Sequence, residues 1–187
     1  MGKTIYDSID NYTVFDIETT GVSKKDKITE IAILTVRDNV IVDKYSQLVN
    51  PKMPIPYYIT QLTGISNAMV RNQPTIEEIA PIILEKFNGE ILMGHNVARF
   101  DMNFLSREIS DFLETEKLDN DRIDTLYLAK KYIDSEDGHS LSVLVDKLHL
   151  YQNTHRALAD CMATKELYDY IKTKMIVSTL STLKQRF

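Results

Sequence analysis

The chain has 187 residues, 43% of them hydrophobic, with 22 basic and 27 acidic side chains and a formal net charge of -5. That length supports one well-cored domain and leaves little room for two. The acidic balance excludes a protein that coats nucleic acid through a broad basic surface, but not an enzyme with an acidic site, because bound divalent cations reverse the local sign and attract phosphate.

Cys161 is the lone cysteine, so no disulfide can form within the chain. The opening Met1-Gly2-Lys3-Thr4-Ile5-Tyr6-Asp7 carries no apolar signal core, and no apolar run reaches the roughly 18 residues of a membrane span. A soluble, cytoplasmic protein with no membrane association is expected. Residues 1–187 read as a single domain, because no repeat, low-complexity stretch or linker interrupts them.

In chain order, Tyr12 to Ile17 reads as a first strand, followed by Ile28 to Val36 and Val40 to Leu48, with Arg37-Asp38-Asn39 as a hairpin turn. Pro51, Pro54 and Pro56 make an irregular connection, and Gln61-Leu62-Thr63-Gly64-Ile65 is placed in a turn bent at Gly64. Ile76, Ile79, Ile83 and Phe87 recur at helical spacing, which predicts a helix from Thr75 to Phe87. Ile91 to Met93 forms a short strand. Asn96 is expected to cap a helix through Glu108, which puts Asp101 near its start.

Arg122 to Thr125 reads as a brief strand feeding a helix through Lys131, and Ser140 as the cap of another ending near Leu148. A final helix is predicted from Arg156 to Lys174, its small residues Ala157, Ala159, Cys161 and Ala163 allowing close approach to a sheet. From Ile176 onward the pattern is ambiguous. Three strands followed by alternating helices and short strands indicate an α/β fold with a mixed sheet covered by helices.

Alternation along the first strand puts Asp16 and Glu18 on one face, read as the chemical face, and Phe15 and Ile17 on the other, read as core. Their backbones lie roughly 6 to 7 Å apart, and flexible carboxylates at that spacing can share one cation or two cations about 3.5 to 4 Å apart. Asp101 follows His95 and Asn96. His155 and Asp160 are five residues apart, about 140° on a helix, so His155 is expected on the loop entering the helix that delivers Asp160. From there an imidazole can accept a proton over the site. Taken singly, a solvated strand face, a carboxylate favoured by the helix dipole and a surface histidine explain the three stretches. Their combination points to phosphodiester hydrolysis.

Phe15-Asp16-Ile17-Glu18-Thr19-Thr20-Gly21, then Gly94-His95-Asn96 leading to Phe100-Asp101, then His155-x-Ala157-x-x-Asp160 resemble, in order, the three motifs of the DEDDh (DnaQ-like) 3'-5' exonucleases. Ile59 to Ile65 and Ile123 to Lys130 look like segments of the bacterial DNA polymerase III proofreading branch, with its epsilon-type and PolC-type domains. The resemblance covers about residues 10–172. It implies a ribonuclease H-like fold with a mixed five-stranded sheet, its first three strands antiparallel and the rest parallel, flanked by helices.

The resemblance also assigns roles. Asp16, Glu18, Asp101 and Asp160 would bind two divalent cations, and His155 would activate water. Hard oxygen donors suit Mg2+ or Mn2+ rather than Zn2+. Leu62 and Thr63 would line the pocket of the terminal nucleotide, with the backbone at Thr19 and Thr20 on its sugar and base. Asn96 and Phe100 complete the substrate-binding set, Asn96 as a helix cap and Phe100 packing inward with Phe104. Asp124 opens a helix and lies outside the site.

The expected activity is release of nucleoside 5'-monophosphates from single-stranded or frayed 3' ends of DNA, in proofreading or repair. An exoribonuclease of the same family and a non-catalytic nucleic-acid-binding module are the alternatives. The segment 176–187 is expected either to dock a DNA polymerase III subunit or to pack on this domain through Leu180 and Leu183, with Lys184 and Arg186 as a solvated end.

Overall fold

The computed structural model describes residues 2–115, 117–151 and 154–184. Arg186 lies outside them, as do the side chains of Leu183 and Lys184. Three antiparallel strands, β1 (Tyr12–Thr19), β2 (Ile28–Arg37) and β3 (Val40–Leu48), form a meander. On the free side of β1, β4 (Leu92–Gly94) and then β5 (Arg122–Asp124) pair in parallel, giving the order β3-β2-β1-β4-β5. The mixed five-stranded sheet and its flanking helices match the expected architecture.

Local chemistry accounts for these elements. The run Ile28 to Leu34 is rich in β-branched residues and buried along its whole length, as suits an internal strand covered on both faces. Asp38 and Asn39 turn the β2-β3 hairpin at φ 49° and 65°, the paired positive values that a tight two-residue hairpin needs. β3 is the edge strand, and most of its side chains are exposed.

The helices are α1 (Tyr57–Thr63), α2 (Asn67–Val70), α3 (Ile76–Phe87), α4 (Asp101–Glu108), α5 (Thr125–Tyr132), α6 (Leu141–Leu148) and α7 (Ala157–Lys184). Thr75 and Glu78 close a capping box at α3, where the Thr75 N–H donates to Glu78 Oε2 at 2.7 Å. Asp124 caps α5 and Ser140 caps α6. Among the described residues no helix is long and apolar enough to cross a membrane.

Each face of the sheet has its own core. Phe15, Ile17, Ile31 and Ile33 pack against Ile79, Ile83 and Phe87 of α3 and Met102 and Phe104 of α4. Tyr12, Val14, Ala32 and Leu34 pack against Leu128 of α5, Leu144 of α6 and Cys161, Leu167 and Tyr168 of α7.

Three expectations need correction. Asn96 caps no helix: α4 begins at Asp101, and Asn96 instead turns the chain at φ 68°. Gly94 explains why the turn is so tight, since a Cβ there would lie 2.8 Å from the Val97 Cβ and 3.1 Å from the Phe15 carbonyl oxygen. Gln61 to Thr63 lie in the last turn of α1 rather than in a loop, and Gly64, at φ 73°, is the left-handed cap that ends it. Finally, α7 continues past Lys174 to Lys184, with Ile176, Val177 and Leu180 exposed along the extension.

Candidate active site

Asp16 and Glu18 do share one face of β1, but that face is not free of core. Tyr12 and Val14 on the same side are fully buried under α7. Ala157, Cys161 and Ala163, all fully buried, let α7 close directly on the sheet. The carboxylates come where this core ends, at the start of α7. Asp160, in the first turn of that helix, meets them there. One carboxylate oxygen from each of Asp16, Glu18 and Asp160 lies within 4.8 Å of the others, a donor set that can hold a divalent cation.

Asp101 stands outside that trio but adjoins it. It is the buried first residue of α4, and its charge is the largest contribution of any neighbour to the upward shift of Asp16. Burial is the greater cause at Asp16, with Asp160, Glu18 and Glu30 adding to it, and the carboxyl is held well above the usual range. Burial, with Asp160, Glu30 and Asp101, pushes Glu18 up to about 8. Asp101 rises to about 7, mainly through burial, although backbone hydrogen bonds at Asp101 and Ile17 oppose the shift. Asp160 is also raised by burial, against the pull of His155 and of the Thr154 and His155 backbones. Burial and mutual repulsion thus raise the affinity of all four acids for protons, and a divalent cation held by the trio would relieve that repulsion.

His155 lies on the loop before α7, as the helix geometry requires, exposed and at φ 51°. The Thr154 N–H donates to Asp160 Oδ1 at 3.2 Å, tying that loop to the trio.

The residues that hold the loop were not among those anticipated. Arg156 forms a two-pronged ion pair with Glu30, Nε to Oε2 at 3.0 Å and the terminal nitrogen to Oε1 at 2.7 Å, and the Ala157 N–H donates to the same carboxylate at 3.0 Å. Glu30 is buried and pairs directly across from Glu18 in the sheet. It thus clamps the entrance of α7 onto β2 beside the acids. The available signal was a single charged side chain inside the otherwise uncharged run Ile28 to Leu34.

The remaining candidates fall around this centre. Thr19 and Thr20 are buried, and their hydroxyls are engaged within the β1-β2 loop. Thr19 donates to the Gly21 carbonyl at 2.6 Å and Thr20 to Asp26 Oδ1 at 3.1 Å. Their side chains brace the loop, and the Thr20 N–H donates to the Lys27 carbonyl at 2.8 Å. Thr63 is buried and bonds the Ile59 carbonyl at 3.0 Å, whereas Leu62 beside it is 52% exposed. Phe100 is half-buried, its ring centroid 5.5 Å from that of Phe104. The Asn96 N–H donates to Asp124 Oδ1 at 3.0 Å, so Asp124 fixes both this loop and the start of α5. His95 braces the same region, with Nε2 2.8 Å from the His139 carbonyl and Nδ1 3.0 Å from Thr125 Oγ1, and its burial lowers its affinity for a proton.

DNA polymerase III PolC-type of Clostridium perfringens (strain 13 / Type A) is 39% identical over 184 residues, which is 95% of this chain but 12% of that protein. The chain therefore spans only a small part of this relative. DNA polymerase III subunit epsilon of Aquifex aeolicus (strain VF5) is 35% identical over 159 residues, covering 84% of this chain and 78% of that subunit. Exonuclease X, solved in complex with 5' overhanging duplex DNA, superposes with a TM-score of 0.67 at 28% identity, covering 87% of this chain and 92% of that one. The RNase_T family model, described as exonuclease, matches residues 13–168, a span that takes in every acid of the site together with His155, and the chain belongs to that exonuclease family.

Proposed function

We propose that the protein is a divalent-metal-dependent 3'-5' exonuclease that removes nucleoside 5'-monophosphates from single-stranded or frayed 3' ends of DNA. The convergence of Asp16, Glu18 and Asp160 within 4.8 Å carries this reading. In it, Asp16, Glu18, Asp160 and the adjoining Asp101 hold two cations. The donor set fits them: it is all carboxylate, it contains no softer ligand, and its raised proton affinities fall when positive charge arrives. Mg2+ and Mn2+ are the cations of this reading. When bound, such a pair supplies an activated water and neutralises the leaving 3' oxygen.

The chain's own side chains do the rest. His155, exposed on its loop and near enough to Asp160 to act on its charge, accepts the proton of the attacking water at an imidazole nitrogen. Glu30 and Arg156 hold that loop in place. The exposed Leu62 meets the terminal base, and the backbone beside Thr19 and Thr20 meets its sugar, with Asn96 and Phe100 completing the substrate-binding set. DNA as substrate is supported by the epsilon-subunit and Exonuclease X relatives, whose names tie them to DNA. Association with a DNA polymerase III subunit is the partner we propose on the same ground.

A 5'-labelled single strand incubated with Mn2+ should shorten from its 3' end in single-nucleotide steps. His155→Ala should lower the rate by at least about 100-fold, the scale of a lost general base, and Asp16→Asn, which removes a cation ligand, should lower it at least as much. A strand left intact by the parent protein would remove the enzyme reading and favour the binding module. Faster turnover of a matched RNA strand would reverse the choice of substrate.

A further inference from the structure

A second feature lies on the same edge of the sheet as the acids. Because β1, β4 and β5 run in parallel, their C-terminal ends emerge together. The segment around Thr4 also pairs with Arg122 in parallel, so Tyr6 emerges at that edge as well. Beyond the ends of β4 and β5 opens a pocket of about 220 Å³ lined by Tyr6, Asn96, Arg99, Asp124, Tyr127 and Lys130, among others. Such a volume is below the roughly 300 Å³ at which enclosed small-molecule sites begin. It suits a groove that takes part of a longer ligand.

The chemistry of the lining is specific. Tyr6 and Tyr127 lie with ring centroids 5.0 Å apart, tilted by 51°, yet remain 46% and 52% exposed. Arg99 and Lys130 are exposed, and neither has an ion-pair partner among the described residues, on a chain whose net charge is -5. The carboxylate in the lining, Asp124, is engaged, its Oδ1 accepting from the N–H groups of Asn96 and Leu126, each at 3.0 Å. Exposed aromatic rings beside unpaired cations are what a single-stranded nucleic acid binds, bases on the rings and phosphates on the cations. Arg99 lies two positions before Asp101, so the groove adjoins the acid site through the Asn96 to Phe100 loop.

We propose that this pocket is a second strand-binding subsite, which stacks an upstream base on Tyr127 and Tyr6 and holds an upstream phosphate with Arg99 and Lys130. It rests on the exonuclease reading above and extends it: the subsite selects for a single strand longer than the terminal dinucleotide. The shortest substrates do not reach it.

The test compares a dinucleotide with a labelled oligodeoxythymidylate of about twelve nucleotides, reading both turnover with Mn2+ and binding by fluorescence anisotropy. The parent KM should be lower for the longer strand. Tyr127→Ala, and separately the pair Arg99→Glu with Lys130→Glu, should raise the long-strand KM at least about fivefold, the low end for one lost stacked base. Their kcat and their dinucleotide kcat/KM should change less than about twofold. Tyr127→Phe should restore the parent KM. The charge reversals should also flatten the salt dependence of long-strand binding by about 0.7 per phosphate contact removed.

A parent KM independent of length would overturn the subsite, as would charge-reversed variants with the parent's length and salt dependence. Equal losses on both substrates would assign these residues to support of the Asn96 loop and overturn it too. So would a mononucleotide that displaces the long strand as well as unlabelled long strand does. Absence of turnover at every length would defeat the exonuclease reading instead, while the anisotropy arm would still decide the subsite.

Discussion

His155 sits in the left-handed backbone region at φ 51°, where a residue with a side chain gives up roughly 1 to 2 kcal/mol. A histidine kept there for packing would make many contacts, but this one is exposed. His155→Gly should therefore unfold in urea at no less than the parent's concentration, because glycine adopts that backbone freely and its added unfolded-state entropy, about 0.4 to 1 kcal/mol, roughly offsets the relief. The same variant should lose the exonuclease activity. A large drop in stability would show the ring to be a brace. Glu18 gives a second expectation. Its folded-state affinity for a proton is raised, to about 8 from an ordinary 4.5, so the folded state binds more protons than the unfolded state across that interval. The stability it contributes is complete below about 4.5 and is lost as pH rises through 8. Protein in chelator should melt at a lower temperature at pH 8.5 than at pH 5.5, and Mn2+ should flatten or reverse that slope. A melting temperature that climbs with pH in chelator would mean that the acids are not crowded.

Between elements, the contact that matters most near the site is the clamp of Arg156 and Glu30, joining the entrance of α7 to β2. Glu30 is almost wholly buried, at 2% side-chain exposure, while Arg156 keeps 39% of its surface in water. Arg156→Ala leaves a buried carboxylate with, among the described residues, the Ala157 N–H as its remaining hydrogen-bond partner. Breaking a fully buried pair costs about 3 to 5 kcal/mol, and half-exposure reduces that to about 2 kcal/mol. Chemical denaturation should show such a loss, with a larger fall in kcat than in substrate affinity as the His155 loop loosens. This clamp was hidden in the sequence because its partners are 126 positions apart and because a lone Glu in an apolar strand has no periodic signature. By contrast, β2, its hairpin and α3 were legible, since alternation, turn residues and caps are local. Asn96 was misread for a physical reason: the short polar side chain that suits an N-cap also suits a left-handed turn, and only the packing of Gly94 on Val97 decides between them.

Across the whole molecule, the acids come from β1, α4 and α7, which one sheet edge brings together. Their order along the chain was readable from three motifs, whereas the degree of crowding was not, because it depends on how closely α7 closes on the sheet. A cation bound only by the folded state stabilises by about 2.7 kcal/mol at one hundred times its dissociation constant. Thermal melting should therefore rise by several degrees from chelator to saturating Mn2+, and equal values would count against a shared site. The same architecture has a consequence for synthesis. A nascent chain carries Asp16 and Glu18 from the outset, while Asp160 arrives later, on α7, and is set only when that helix lies against a completed sheet. A ribosome-bound fragment that stops short of α7 cannot assemble the trio, and in the proposed reading it cannot degrade the strands around it. Docking of α7 is thus the step that completes the trio.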